Sequence, residues 1–176
     1  YNKAIKVTRY PRQFWFGVWC ALLVVRGAPY CRRYAWENMK TKYTYWIEPR
    51  DKPGLLYAML KQFNTNSYVS FEGDLSNLDF YSIDGASHDE RASLTRATVS
   101  PELDFVVIPL TENSATEIWR ELCHKDHLVH DGIIHVQIEH AGKLVFGGYD
   151  NFHKECVFAT GNVSTELLEQ LLKTGV

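Results

Sequence analysis

Seven residues constrain the fold more than any others: Ile133-Ile134-His135-Val136-Gln137-Ile138-Glu139. Ile134, Val136 and Ile138 project to one side of an extended chain, and His135, Gln137 and Glu139 to the other, because side chains alternate across a β-strand. The segment reads as a strand with an apolar face toward a core and a polar face toward solvent. A sheet is therefore required. Residues 104–110 (DFVVIPL) are almost wholly apolar, the pattern of a central strand covered on both faces, and Pro109 marks its end.

The neighbouring patterns extend this sheet. Residues 43–48 alternate aromatic and β-branched side chains and predict a strand. The turn at residues 49–54 launches a helix over 55–63, with Leu55, Leu56, Met59, Leu60 and Phe63 on one stripe. Residues 68–72 predict a strand with Val69 and Phe71 inward, and a second short strand follows over 78–83. The polar span 84–101 reads as a loop containing one helical turn. Ser114 and Glu117 make a capping-box pattern opening a helix buried through Ala115, Ile118, Trp119 and Leu122. Ala141-Gly142-Lys143 turns the chain into a hairpin strand over 144–149, and another strand lies near 156–159. Ser164 caps a last helix with Leu167, Leu168, Leu171 and Leu172 inward, and Gly175 sits at its C-cap. The pattern predicts an α+β domain: an antiparallel-rich sheet with helices packed on one face, in two βαββ-like halves (43–83 and 104–149).

Charge divides the chain in two. Residues 1–38 hold seven Lys/Arg and one acid, leaving twelve Lys/Arg and twenty acids for residues 39–176, so the net charge of −2 splits into +6 and −8. The first part is a basic, apolar amino-terminal segment; the second is an acidic α+β domain. Residues 14–25 form an uncharged apolar run of twelve, about 18 Å as a helix and too short for a bilayer core of about 30 Å. The segment reads as upstream sequence ahead of a bacterial start at Met39-Lys40-Thr41-Lys42, as a targeting or anchoring segment that would send the protein to a membrane or out of the cell, or as a genuine basic arm. The pI near 6.4 argues against nucleic-acid binding. No membrane association is expected of residues 39–176. Cys20, Cys31, Cys123 and Cys156 form no CxxC pair, and a reduced, cytoplasmic protein is the simplest expectation.

No catalytic signature stands out, and no cofactor or metal is expected. Five of the seven histidines (His124, His127, His130, His135, His140) fall within residues 124–140. Their spacing suits exposed imidazoles better than one coordination sphere. Two clusters could carry function. Glu72, Asp74, Asp79 and Asp84 thread among aromatics that include Phe80 and Tyr81; such a surface suits a basic protein partner through steering charge and rigid anchors. A second polar cluster comprises His135, Gln137, Glu139, Asp150, Asn151 and His153. Within it His135, Glu139 and His153 would be the acid–base set of a hydrolase-type enzyme. The leading expectation is a non-enzymatic acidic binding module, of the kind that neutralises a toxin as an immunity protein.

The corner Ile47-Glu48-Pro49-Arg50-Asp51-Lys52-Pro53-Gly54-Leu55-Leu56 resembles the first strand-to-helix corner of ACT-type regulatory modules, through Asp51, Pro53, Gly54 and Leu56. The resemblance is limited to roughly residues 43–83. It implies a small-ligand sensor that binds amino acids at that corner.

Overall fold

The computed structural model describes residues 8–11, 43–123 and 132–174. In chain order these form β1 (Thr8–Pro11), β2 (Tyr43–Trp46), α1 (Lys52–Gln62), β3 (Ser67–Gly73), a 3-10 turn (Phe80–Ser82), β4 (Asp104–Leu110), α2 (Glu112–Cys123), β5 (Ile133–His140), β6 (Lys143–Gly148), β7 (Val157–Thr160) and α3 (Thr165–Thr174). The strands make one antiparallel sheet in the order β1-β2-β7-β6-β5-β3-β4. The α+β class with an antiparallel sheet is thus as expected.

One face of the sheet carries the helices. Val69 and Phe71 of β3, Val106 and Ile108 of β4, and Val136 and Ile138 of β5 pack in one cluster with Leu55, Leu56, Met59 and Leu60 of α1, Ala115, Ile118 and Leu122 of α2, and Leu168 and Leu171 of α3. Burying each of these large side chains contributes about 1.5–3 kcal/mol. α1 starts at Lys52 because Asp51 caps it: the carboxylate accepts the Gly54 N–H at 2.9 Å, and Pro53 supplies a helix-ready φ in the first turn. The Asp51-Pro53-Gly54 pattern therefore has a local structural cause.

Three local expectations are corrected. Residues 78–83 contain the 3-10 turn at Phe80–Ser82 rather than a strand, because Phe80 is drawn under the sheet to stack on Phe71 at 4.6 Å. The first half of the domain is thus β–α–β followed by a turn. Ser114 does not cap α2. The helix begins at Glu112, and Thr111 Oγ1 takes the Ser114 N–H at 3.1 Å while Ser114 Oγ takes the Thr111 N–H at 2.8 Å. Trp119 is half-buried at the α1–α2 seam, where its ring meets Tyr57 at 4.6 Å. Residues 14–25, the histidines from 124 to 130 and Gly175 lie outside the described residues. Among the described residues no helix is long and apolar enough to cross a membrane.

The second face is not a solvated surface. Phe105 and Val107 of β4, Leu144 of β6, Tyr149 and Phe158 of β7 form another buried cluster there, closed by Leu94 from the span 84–103. That span is an extended strap with no helical turn. It starts at the free edge of β4, where Ser87 and Val107 exchange both backbone hydrogen bonds at 2.9 and 2.8 Å. The other outward positions of that edge are also occupied. The Phe105 carbonyl accepts from the Tyr81 hydroxyl at 3.4 Å; Pro109 has no N–H, and its carbonyl accepts from Ser114 Oγ at 2.7 Å.

Gly147 is what lets the second cluster close. A Cβ there would lie 2.7 Å from both Phe158 and Tyr149, whose rings stack at 6.0 Å. Gly147→Ala is expected to lower stability by about 1–3 kcal/mol, the range for overpacking a core, as read by urea denaturation. Wild-type stability in this variant would refute the packing account.

Candidate functional site

The register brings the polar residues of the two central strands side by side. Glu72 of β3 lies opposite His135 of β5, Ser70 opposite Gln137, and Tyr68 opposite Glu139. Glu72, His135, Gln137 and Glu139 are all buried. What covers them is the strap, and each makes a specific bond to it.

Glu139 is 2% exposed and holds the first part of the strap. Arg91 donates to Glu139 Oε1 through Nε and Nη2, both at 3.2 Å, and Ser93 Oγ donates to Oε2. The Arg91 guanidinium also sits 3.5 Å above the Tyr68 ring. Gln137 holds the middle: its Oε1 accepts the Thr95 N–H at 3.2 Å and its Nε2 donates to the Thr95 carbonyl at 2.9 Å. That is the pairing a neighbouring strand would make, supplied by one amide side chain. Glu72 holds the far part, accepting the Ala97 N–H at 2.7 Å and the Thr98 N–H at 2.8 Å, one on each carboxylate oxygen. As the strap advances from residue 91 to residue 98, its partners on β5 descend from Glu139 to His135.

His135 completes the series. Its Nδ1 accepts the Asp150 N–H at 3.3 Å, so that nitrogen carries no proton; Nε2 is the protonated one and faces Thr98 Oγ1 at 3.1 Å. The ring is neutral. Burial pushes its pKa below the usual histidine range, and this outweighs the opposing pull of the Glu72 and Asp150 carboxylates. Asp150 belongs to a turn in which Asp150, Asn151 and Phe152 all have left-handed backbone angles (φ 50°, 55° and 57°). The turn is fixed by Asn151 N–H to the Ile134 carbonyl at 3.0 Å and by Lys52 Nζ to the Asn151 carbonyl at 2.6 Å.

The polar cluster read from the sequence is therefore only partly one site. His135 and Asp150 meet, and Gln137 and Glu139 lie on the same face, but these groups are spent on the strap. His135 and Glu139 are four residues apart on one strand, roughly 13 Å at strand rise. His153 is exposed, and its Nδ1 accepts the Glu155 N–H at 3.4 Å. The three residues of the acid–base set do not converge. Among the described residues no three His, Cys, Asp or Glu side chains are arranged to hold a metal ion. Cys156 is disulfide-bonded, which departs from the expectation of a reduced protein.

The acidic cluster also divides. Glu72 and Phe80 are buried and offer nothing to a partner; both serve the interior. Asp74, Asp79, Tyr81 and Asp84 are exposed. Two hydrogen bonds from Ser76 hold the Asp74 carboxyl below its ordinary pKa. The Tyr81 ring stacks on His88 at 4.3 Å; partial burial and the nearby Asp104 charge push its hydroxyl pKa up. Sequence reasoning missed the contribution to this rim of the strap and the first residue of β4: Asp89, Glu90, Glu102 and Asp104 are exposed as well. The signal was present, since residues 74–104 hold seven acids and only two arginines. Both arginines are engaged: Arg91 with Glu139, and Arg96 with the Leu103 carbonyl at 2.6 Å and over the Phe105 ring.

No known protein family, no curated protein and no solved structure matches this chain.

Glu72 is the test of the strap as a bonded layer. In Glu72→Gln only one side-chain oxygen remains for two N–H groups, and the amide nitrogen faces a donor. The variant is expected to lose about 2–3 kcal/mol, the scale of a hydrogen bond to a charged acceptor, in denaturant unfolding. Limited proteolysis should then cut within residues 95–101 before any other described segment. A variant as stable and as resistant as wild type would contradict this role.

Proposed function

We propose that the protein is a non-enzymatic binding module that engages a cationic protein partner through an acidic rim, in the manner of an immunity-type protein neutralising a toxin. The observation that carries this reading is the one-sided charge of residues 74–104. Seven exposed carboxylates (Asp74, Asp79, Asp84, Asp89, Glu90, Glu102 and Asp104) lie there against two arginines, of which Arg91 is committed to Glu139 and Arg96 to the Leu103 carbonyl and Glu102. Tyr81 stands among these acids as one of three exposed large hydrophobic side chains among the described residues, 42% exposed and backed by His88. A rigid aromatic anchor within a field of one sign is suited to capture a basic surface.

The fate of the remaining polar groups supports the same reading. Glu72, His135 and Glu139 are buried under the strap and bonded to it, which suits a scaffold for a surface better than a reaction centre. The exposed rim sits on the strap and on the segment leading into it, so the polar interior positions the charged exterior.

The reading is tested with the full chain against purified basic proteins, beginning with those encoded by neighbouring genes. For a cognate partner, the association rate is expected to fall at least about tenfold between low salt and 0.5 M salt, as electrostatic steering is screened. The combined Asp74→Lys, Asp79→Lys and Asp84→Lys variant should slow association by a further factor of about ten, while Tyr81→Ala speeds dissociation. Binding that ignores both salt and charge reversal would defeat the proposal, as would the absence of binding to every cationic candidate.

A further inference from the structure

We propose that His135 is a proton-operated latch for the far part of the strap, releasing Ala97 and Thr98 when its Nδ1 takes up a proton while the Arg91 and Ser93 end stays fastened to Glu139. The argument begins with the donor at Nδ1. The Asp150 N–H points at that nitrogen from 3.3 Å, so a proton there sets two donors against each other. An imidazolium buried at this point needs a carboxylate as its new partner. Among the described residues the groups facing the ring are Glu72 on β3, Asp150 and Tyr149 in the turn after β6, and Thr98 on the strap.

Either carboxylate can answer only by moving. Glu72 has one oxygen aimed at the Ala97 N–H and the other at the Thr98 N–H, and swinging the carboxylate toward Nδ1 turns it out of line with both. Asp150 reaches Nδ1 only if its own N–H moves away, in a left-handed turn held by the Ile134 carbonyl and Lys52. The opened arrangement relieves the conflict by letting water reach the ring. The Arg91–Glu139 and Gln137–Thr95 attachments make no bond to the His135 ring, so opening is confined to one end.

The direction with pH follows. In the opened state the ring is solvated and titrates near its ordinary value, about 6.5. In the closed state burial holds it lower. Opening therefore takes up a proton: closure is fully favoured above about pH 6.5 and weakens as pH falls below it, by up to about tenfold per pH unit until the closed-state value is reached. This inference does not depend on the partner reading, because it concerns a bond network inside the chain.

Residue-resolved amide exchange on the full chain at pH 7.5 and 5.5, corrected for intrinsic exchange rates, tests it. The Thr95 amide, bonded to Gln137, is the internal reference. Protection at Ala97 and Thr98 is expected to fall about tenfold relative to Thr95 over that interval, in step with the His135 ring-proton titration. His135→Gln should flatten the difference, whereas His88→Gln and His153→Gln should leave it. Equal changes at residues 95, 97 and 98, or a pH response that survives in His135→Gln, would overturn the latch. If His135→Gln does not fold, the wild-type ratio and the ring titration decide the question alone.

Discussion

Backbone pressed against a sheet face must find partners for its inward N–H and C=O groups, and the strap over residues 84–103 does so at Thr95, Ala97 and Thr98 without a ladder of its own. It pairs backbone to backbone with the sheet at Ser87 alone, and beyond that point it crosses the face of β3 and β5, where strand pairing is geometrically unavailable. The missing acceptors and donors come from sheet side chains: a carboxylate for two amides, a carboxamide for one residue's N–H and C=O, a second carboxylate for an arginine and a serine. The β5 sequence His-Val-Gln-Ile-Glu does two jobs with one alternation. Its apolar members hold the helices, and its polar members hold a third layer that is almost entirely irregular chain.

This division explains where the proposed binding surface comes from. A loop of some twenty residues with only Leu94 and Ala97 packed into the second cluster would have little to fix its shape. Bonded at Glu139, Gln137 and Glu72, it presents Asp89, Glu90 and Glu102 at defined positions beside Tyr81. The charges that matter outside are thus ordered by charges and amides inside. Arg91 illustrates the link, since one guanidinium covers a tyrosine ring and neutralises a buried carboxylate of the strap network.

Much of the fold was legible in the sequence because alternation and helical stripes are local signals. The strand at β5, the stripe of α1, the cap at Ser164 and the β5–β6 hairpin all follow from spacing alone, and the Ser164 cap is made as expected, with its hydroxyl taking the Leu167 N–H at 3.1 Å. What the sequence hid was the third layer. Residues 84–103 have no periodicity, and nothing local distinguishes Leu94, which is fully buried, from Val99, which is 77% exposed. Yet one contradiction was in view. Residues 104–110 were read as apolar on both faces, and β5 in the same sheet as polar on one. Both hold only if something covers that face, and the absence of Lys and Arg from the polar positions of β3 and β5 pointed the same way. Phe80 and Glu72 were misplaced as surface residues for a related reason: an aromatic beside acids reads alike whether it anchors a partner or plugs a core.

The blocked edge of β4 has a consequence for how such molecules meet. Stacking strand upon strand without limit requires each copy to expose two complementary borders, one to receive and one to extend. Here one border is shut at all three of its outward positions by a tyrosine hydroxyl, a backbone bridge and a proline. Whatever the β1 side offers, sheet-to-sheet joining through it ends at a pair, so a fibril of native copies has no second side from which to grow.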